Sequence, residues 1–281
     1  LPRLSDVAGV GHRVVHGGEH FSKPTVITKN VLKTITGLSE LAPLHNPPNI
    51  AGIEGAMKLL PKVPHVAVFD TAFHQTMPPH VYTYAVPYTW YEKHGIRKYG
   101  FHGTSHSYVS RVAAEMLGRN DLKMVTCHIG AGVSLTAVKD GKSYATSMGF
   151  TPLEGLPMGT RSGDIDPALI QYVMEKENLS IDQVMDILNK KSGLLGITGK
   201  FADRRDIKEA GAAGNVRARL ALEIQAYHLV HYIGAYAAVM GGLDARGCTA
   251  GGGEHDAELR AAVTGQFSFL GLALDKEKNN R

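Results

Sequence analysis

The stretch KMVTCHIGAGVSLTAVKDGKSYATS, residues 123–147, carries the strongest fold signal in this 281-residue chain. Its apolar first part runs into the glycine turn at 130–132, a pattern typical of a buried strand that ends at a loop. VSLTAV and SYATS then flank Asp140-Gly141, a dipeptide that favours the tight turn of a β-hairpin. The stretch therefore predicts a strand, a glycine turn and a hairpin in succession.

Two other segments have the same strand-to-turn character. VPHVAVFD, residues 63–70, predicts a buried strand that ends in Asp70, and TAFHQTMPP after it predicts a loop with prolines. LDARGCTAGGGEHD, residues 243–256, predicts a further strand that runs into a glycine turn. Strands that end in an acid, a histidine or a glycine commonly present reactive groups.

Helices are predicted between these strands, which makes the chain an α/β protein. The dipeptide DP at 166–167 is a cap and first-turn proline for ALIQYVMEK, and Ser180 with Gln183 makes a capping box for DQVMDILNK. The longest helix is predicted over about 216–240 and is ended by two glycines. The residues that recur at three- and four-residue spacing along this helix are Leu220, Ile224, Tyr227, Val230, His231 and Ala235.

Composition excludes several classes of function. The chain is 43% hydrophobic and 20% charged, as in ordinary globular proteins, and its net charge of +4 is scattered rather than gathered in a basic run. No apolar run reaches the ~20 residues that span a bilayer, and no targeting segment opens the chain. Cys127 and Cys248 are far apart in sequence and are predicted to be buried, inert thiols of a reducing compartment. We expect a cytoplasmic protein with neither nucleic-acid nor membrane partners.

The stretch GHRVVHGGEH, residues 11–20, allows two interpretations. His12, His16 and His20 would share one face of a helix and would then form a metal site. The adjacent valines and the double glycine favour a strand and a tight turn instead. We prefer the strand, which makes Arg13, with the apolar Val15 beside it, a candidate for binding a small organic anion.

Glycine-rich turns also indicate phosphate binding, because exposed backbone N–H groups can hold phosphate oxygens there. Three segments share this character: HIGAGVS (128–134), MGTRSGDIDP (158–167) and TAGGGEHD (249–256). Arg161 lies between two of these glycines and is a candidate for neutralising a transferred phosphoryl group. The alternative is a structural arginine paired with Asp164 or Asp166.

The segment FHGTSH places His102 at a glycine turn and His106 four residues later. A metal pair would need a third ligand, which no nearby motif supplies, so we interpret His102 as a hydrogen-bond donor to developing negative charge. Asp70 could hold Mg²⁺ through water, or it could be an ordinary cap of the next segment. A metal-dependent hydrolase, suggested by the 14 histidines, is the lower-ranked alternative.

Several longer segments resemble the acetokinase family, the acetate and propionate kinases. GHRVVHGGE, APLHNPP, VAVFDTAFHQTMP, YGFHGTSH, TSMGFTPLEGLPMGTRSGDIDP and SGLLGITG occur in that family's order. The resemblance implies a two-domain actin-like α/β fold of the sugar kinase and Hsp70 superfamily, incomplete at both ends. It places the first, substrate-side domain at 1–71 and the second, nucleotide-side domain at 72–281, with the active site in the cleft between them.

The resemblance also implies an activity. This is reversible, direct in-line transfer of a phosphoryl group between ATP and acetate, with Mg²⁺ as cofactor, ADP and acetyl phosphate as products, and a homodimer as the assembly. Propionate or another short-chain carboxylate is the alternative acceptor, and a non-catalytic nucleotide-binding relative is the alternative class.

Roles follow for individual residues by the same resemblance. The residues implied in catalysis are Arg13, Asp70, His102 and Arg161, the arginines holding the carboxylate and the transferred group. The residues implied around the acid are Arg13, Val15, Leu44, His45, Phe101 and Pro152. Those implied around the nucleotide are His128, Gly130, Gly132, Asp203, Arg204, Arg205, Gly251, Gly252, Gly253 and His255. Asp70 is implied as an indirect metal residue, since the family's glutamate ligand would lie beyond Arg281.

The chain departs from the family pattern at several positions. Ala131 and Ala145 stand where the family has polar residues, which we expect to remove polar groups near the phosphates. Arg246 and Gly247 are expected to interrupt a central buried strand, where an unpaired arginine is costly. Gly252 and His255 replace an apolar residue and an asparagine. Because segments of the family pattern are missing at both ends, we expect residues 1–281 alone to be inactive and poorly stable.

Overall fold

The computed structural model describes residues 3–43 and 45–280. Two separate β-sheets organise this part of the chain, and helices pack on both. None of the helices within the described ranges is long and apolar enough to cross a bilayer.

The first sheet has three strands, of which the last in sequence lies in the middle. These are β1 (Val10–Val14), β2 (Thr25–Val26) and β3 (His65–Phe69). β1 runs parallel to β3, whereas β2 is antiparallel to it. Two helices, α1 (Lys29–Gly37) and α2 (Asn46–Leu59), contribute Ile35 and Ile53 to the core that contains Val14.

The GHRVVHGGEH stretch is therefore a strand and a turn, and its interpretation as a helical metal site is wrong. His12 Nε2 lies 2.9 Å from His65 Nδ1 on the neighbouring strand. His16 is buried and its Nδ1 accepts the Gly18 N–H, while His20 is exposed. In the described residues no group of three His, Cys, Asp or Glu side chains could hold a metal ion.

The segment after β3 joins the two sheets. The predicted loop at 71–79 contains a 3₁₀ helix, Ala72–Thr76, from which His74 Nε2 reaches the Phe101 carbonyl and Nδ1 reaches Ser143 Oγ, both at 2.9 Å. The helices α3 (Pro79–Tyr82), α4 (Thr89–His94) and α5 (Gly103–Leu117) follow. The predicted domain boundary after residue 71 stays a prediction.

The second sheet confirms the strand, turn and hairpin predicted for 123–147. Its strands are β4 (Lys123–Ile129), β5 (Val133–Lys139), β6 (Lys142–Thr146) and β7 (Ala245–Thr249), in the spatial order β6-β5-β4-β7. Asp140 and Gly141 both have positive φ, 52° and 72°, as a two-residue turn between twisted strands requires. Only β7 pairs with β4 in parallel, because it arrives after a long helical crossover.

Strand β7 is continuous, so the expected interruption at Arg246 and Gly247 is wrong. The described part of the sheet has β7 at its edge, where Arg246 is partly exposed and donates from Nη2 to the Arg260 carbonyl, 3.2 Å away. Gly247 meets α5 closely, since a Cβ there would lie 3.0 Å from Val109 Cγ1. The arginine is tolerated because the residue is partly exposed and its guanidinium has a hydrogen-bond partner.

The pairing of β4 with β7 also places the two cysteines opposite each other. Cys127 and Cys248 are in register and both are free thiols. Contact with Cys248 and burial raise the pKa of Cys127, while contact with Cys127 and the nearby positive charge of Arg246 lower the pKa of Cys248 to about 6. The predicted burial is confirmed for Cys127 and is wrong for Cys248, which is partly exposed. That the two thiols are inert stays a prediction.

The remaining helices begin and end largely where the caps predict. They are α6 (Ala168–Glu177), α7 (Ile181–Lys190), α8 (Gly193–Thr198), α9 (Arg204–Ala212), α10 (Val216–Met240), α11 (Ala250–His255), α12 (Ala257–Gly265) and α13 (Lys276–Asn279). Asp166 Oδ1 accepts the Ala168 N–H at 2.9 Å, and the Ser180–Gln183 capping box is present. Gly241 ends α10 in the left-handed conformation.

The bounds predicted for α10 are confirmed, and the apolar series that indicated the helix is not its buried face. Leu220 and Tyr227 are exposed, and the residues that face the interior are Ala218, Ala221, Gln225, Leu229, Ile233, Tyr236, Ala237 and Met240. The helix is apolar on most of its circumference, so several three- and four-residue series fit the sequence equally well. Packing against α8, α9 and the second sheet selects the series that begins with two alanines, which allow close approach.

Candidate active site

An ion pair lies where β1 and β3 end side by side. Arg13 Nη2 is 2.6 Å from Asp70 Oδ2, and Arg13 Nε is 3.0 Å from Oδ1. The Asp70 side chain is 4% exposed and that of Arg13 is 67% exposed. The cap alternative for Asp70 is wrong, because its carboxylate binds Arg13 and leaves the outer part of the guanidinium facing solvent. This hydrogen bond also raises the pKa of Arg13.

His102 is brought to this pair by the start of α5. Gly103 donates its N–H to the Asp70 carbonyl at 2.9 Å, and a Cβ on Gly103 would lie 2.2 Å from that oxygen, so only glycine fits. His102 itself has φ 56° and its ring stacks on that of His128, with the centroids 4.1 Å apart. Burial, followed by the nearby His128, Arg13 and Arg161, lowers the pKa of His102 to about 3. The ring is therefore neutral at pH 7.

Arg161 reaches the same place from the 158–167 segment. A Cβ on Gly132 would lie 3.3 Å from His102 Cε1 and 3.5 Å from Arg161 Nη1, so this glycine allows the two side chains to approach each other. Arg161 Nη1 makes only long contacts, 3.4 Å to the Pro152 carbonyl and 3.6 Å to Met158 Sδ. Burial lowers the pKa of this guanidinium.

The structural alternative for Arg161 is wrong. Asp164 accepts the Gly155 N–H at 2.8 Å and the Tyr232 hydroxyl, while Asp166 caps α6. In the described residues Arg161 has no carboxylate partner. A half-buried cation without a counter-ion is suited to binding an anion from outside the chain.

We expect Gly193→Ala to disturb this site strongly. Gly193 has φ 58°, and a Cβ there would lie 2.1 Å from the Met158 carbonyl and 2.5 Å from that of Arg161. Left-handed backbone costs a non-glycine residue about 1 to 2 kcal/mol, and overpacking adds a further ~1 to 3 kcal/mol. Gly118→Ala is the matched control, since its φ is 63° and nothing lies within 4 Å of the added Cβ. Urea unfolding measures both variants, and an equal loss of stability in the two would contradict the packing argument.

The residues predicted around the acid fall into two groups. His45 lies close enough to the arginines that, after burial, Arg161 and then Arg13 lower its pKa, and Pro152 contacts Arg161. Val15 and Phe101 are buried in the core of the second sheet. Leu44 lies outside the described residues.

A cavity of about 660 Å³ adjoins this cluster of charges. The predicted nucleotide residues that line it are Gly130, Asp203, Arg204, Arg205, Gly251, Gly252 and His255. His128 and Gly132 lie beside His102 instead. Gly253 is buried, and a Cβ there would lie 3.6 Å from Cys248 Cβ, so it supports the wall from behind.

Sequence reasoning did not name four polar lining residues: Thr160, Lys208, Gln225 and Asp256. The Asp256 carboxylate accepts from Arg204 Nε at 2.6 Å and from Lys208 Nζ at 3.2 Å, and it caps α12. Arg204 Nη1 also donates to Gln225 Oε1 at 2.6 Å. The i, i+4 spacing of Arg204 and Lys208 on α9 could have indicated one cationic face. The partners from α10 and α12 are brought in only by the fold.

The glycines at 251–253 form helix α11, so the predicted glycine loop is wrong. The turn lies one residue earlier, at Ala250, which has φ 63°. Glu254 accepts the Ala250 N–H and the Thr249 hydroxyl and so stabilises the first turn. A Cβ on Gly252 would lie 2.9 Å from the Ile129 carbonyl, so the glycine lets α11 close against the end of β4.

Comparison with known proteins settles the family. The profile described as "Acetokinase family" matches residues 1–281. The chain belongs to the acetokinase family. Its relative in Desulfitobacterium hafniense (strain DSM 10664 / DCB-2), an acetate kinase, is 60% identical over 278 residues, which are 98% of this chain and 70% of the relative.

Two solved structures confirm the predicted fold class. An acetate kinase from Porphyromonas gingivalis is 48% identical with a TM-score of 0.95, over 99% of this chain and 70% of that chain. A propionate kinase from Francisella tularensis subsp. tularensis SCHU S4 is 46% identical with a TM-score of 0.95, over 99% of this chain and 72% of that chain. The chain thus has the mixed α/β, actin-like acetokinase fold. Because the two likenesses are almost equal, the backbone does not discriminate between acetate and propionate.

The structure shows where the residues that depart from the acetokinase pattern lie. Ala131 is exposed and lines the cavity, so a polar group is absent there. Ala145 is buried in β6 opposite Ala137, so the expectation that it removes a polar group near the phosphates is wrong. His255 lines the cavity at the end of α11.

Proposed function

We propose that the protein carrying this sequence is an acetate kinase, which transfers the γ-phosphoryl group of ATP to acetate and runs in reverse with acetyl phosphate and ADP. One observation carries the proposal. The cavity is lined at 130–131 and 159–160, and the next residue of each segment, Gly132 and Arg161, belongs to the cluster that contains His102. A nucleotide held in the cavity would therefore direct its phosphates toward the cluster.

The cavity fits a nucleotide in size and charge. Its volume of about 660 Å³ lies within the range of small-molecule sites. Arg204 is engaged by Asp256 and Gln225, and Arg205 pairs with Asp203, so both cations are held in place. Lys208 pairs with Asp256 and Glu258, so its charge is also held beside the cavity. The glycine turn at 130–132 brings backbone N–H groups to the same wall, where phosphate oxygens could bind.

The chemistry rests on charge stabilisation by two differently held arginines. Phosphoryl transfer needs positioning and neutralisation of the equatorial oxygens more than covalent catalysis. Arg161, which has no counter-ion among the described residues, would bind the transferred group, whereas Arg13, anchored by Asp70, would orient the acceptor carboxylate. His45 lies near both arginines and would line the carboxylate site.

When Mg²⁺ is bound, it would supply positive charge that offsets the charge of the phosphates. The described residues fit an indirect role only. Asp70 is the nearest carboxylate of the cluster, and both its oxygens already accept from Arg13. We therefore assign the cation to the nucleotide phosphates and water, with Asp70 acting through water.

Acetate is proposed as the preferred acceptor and propionate as the slower one. A hydrophobic wall distinguishes one methylene by only about 1 to 3 kcal/mol. Val15 and Phe101 are fixed in the core, which supports a wall that does not readily yield to a longer acid. The predicted homodimer stays a prediction, supported by the exposed apolar Leu220 and Tyr227 on α10.

The test is formation of acetyl phosphate from ATP and acetate, trapped as its hydroxamate, in the protein that carries this sequence. We expect turnover with acetate, about 10- to 100-fold lower kcat/KM with propionate, and no product without an acid. Nucleotide binding without turnover would support the non-catalytic relative and sink the kinase proposal. The same assay on residues 1–281 alone tests the expectation that this polypeptide is inactive.

A further inference from the structure

The pairing of β4 with β7 places two thiols side by side on one face of the second sheet. Cys127 and Cys248 are the two cysteines of the sequence, and they lie opposite each other in the register of these parallel strands. Both line one small void under helices α10 and α12. Neighbouring strands lie about 4.8 Å apart, which is inside the Cα separation of about 4.4 to 6.8 Å that a disulfide spans. The Cα positions therefore allow a bond between the two sulfur atoms without moving either strand.

The two thiols differ in their access to solvent. Cys127 is 1% exposed and lies in the core of the second sheet. Cys248 is partly exposed and belongs to β7, the edge strand of the described sheet. The void beside them has a volume of about 10 Å³, room for about one water molecule. A small oxidant therefore reaches Cys248 first, and Cys127 is the thiol that lies within reach of the oxidised sulfur.

Positive charge surrounds Cys248. Arg246 lies two residues earlier in β7, so its side chain leaves the same face of the strand, and Arg260 reaches the same void from α12. The contact with Cys127 and the charges of the two arginines lower the pKa of Cys248 to about 6, whereas the contact with Cys248 and burial raise the pKa of Cys127. At pH 7 the pair is therefore a thiolate beside a thiol. This is the arrangement of a nucleophilic cysteine and the cysteine that resolves its oxidised form.

We propose that Cys248 and Cys127 are a redox site that closes to a disulfide when the protein meets a hydroperoxide such as hydrogen peroxide. The Cys248 thiolate attacks one peroxide oxygen and the O–O bond breaks, which leaves a sulfenic acid on Cys248 and a hydroxide that takes a proton from solvent. The Cys127 sulfur then attacks the Cys248 sulfur, the S–O bond breaks, and the hydroxide leaves as water with the Cys127 proton. Overall, two thiols are oxidised to one disulfide and one peroxide is reduced to two waters.

This redox site is the opposite of the inert pair that the sequence alone suggests. A disulfide here would tie the edge strand, and the start of α11 that follows it, to β4. It would also keep Cys248 from further oxidation to the irreversible sulfinic acid. None of these steps uses the acid, the nucleotide or the cluster around Arg161, so the redox site stands or falls independently of the proposed kinase activity.

The test treats the reduced protein that carries this sequence with hydrogen peroxide at pH 7.5. Remaining thiols are then blocked with iodoacetamide, and peptide mass spectrometry reads the state of each cysteine. We expect a peptide pair, linked between Cys127 and Cys248, that is short of two hydrogens and is separated by dithiothreitol. Treatment of the same protein in urea is the control and should give little of this pair, since only the fold brings the thiols together. Sulfinic acid at Cys248 with Cys127 still free, or two thiols that stay unmodified, would overturn the proposal.

Two variants separate the roles of the thiols. In Cys127→Ala, Cys248 keeps its exposure but loses its partner, so peroxide should convert it more slowly to sulfenic acid, trapped with dimedone, and then to sulfinic acid. In Cys248→Ala, Cys127 should stay a free thiol after the same treatment, because it is buried and protonated. Oxidation of Cys127 at the wild-type rate in Cys248→Ala would overturn the assignment of Cys248 as the nucleophile.

Discussion

Replacing Arg161 with alanine should lower kcat for acetyl phosphate formation by about 10³- to 10⁵-fold, the effect of removing an arginine that stabilises phosphoryl transfer. Arg161 is half-buried, and in the described residues no carboxylate pairs with it. Its charge is therefore available to the transferred group. The change should appear in kcat with little change in the KM for ATP, because Arg161 does not line the cavity that we assign to the nucleotide.

Two further variants make this result interpretable. Arg161→Lys keeps the charge but lacks the planar fork, so it should recover only part of the rate. Arg111→Ala removes an exposed arginine that pairs with Glu115 on the surface of α5, and we expect no change in kcat. Near-normal turnover in Arg161→Ala would remove this arginine from the mechanism.

Acid should unfold the protein well before its carboxylates are protonated. His16 and His74 are fully buried, and burial lowers the pKa of each from 6.5 to about 4. The unfolded chain therefore takes up these protons first. The stability is complete above pH 6.5 and is lost as the pH falls from 6.5 to about 4, by about 3 kcal/mol for each histidine. Two such losses approach the whole net stability of about 5 to 15 kcal/mol for a small domain.

At His16 the loss of stability in acid has a specific structural cause. Its Nδ1 accepts the Gly18 N–H at 3.0 Å, so a proton on Nδ1 would face another proton. His16→Gln should therefore reduce the dependence of the unfolding free energy on pH between 6.5 and 4 by one proton. His20→Gln removes an exposed histidine from the same stretch and is the control. A urea midpoint that is the same at pH 7.5 and pH 5 would contradict the argument.

Local signals in the sequence predicted the elements well and the long-range contacts poorly. The Asp140-Gly141 hairpin and the bounds of α10 depend on residues close together in the chain, and both are confirmed. The expected interruption of the strand at 245–249 and the expected glycine loop at 251–253 depend on what packs against them, and these predictions were wrong. The roles proposed for individual site residues stay predictions, although Arg13, His102 and Arg161 do come together.

The sequence by itself determined the family and the α/β class. It also placed glycine at 103 and 132, where the backbone approaches its neighbours closely. Such features are written in single residues and short motifs, because backbone freedom and turn geometry are local properties. Only the tertiary structure decided which partner each charge and each polar hydrogen meets. It gives Arg13 a buried counter-ion from the end of another strand, whereas Arg161 has none in the part of the chain that the structure describes, although both arginines look alike in sequence. The contacts of His102 with Ser134 and His128 are likewise made only by the fold, since a hydrogen bond has no signature until both of its ends are in place.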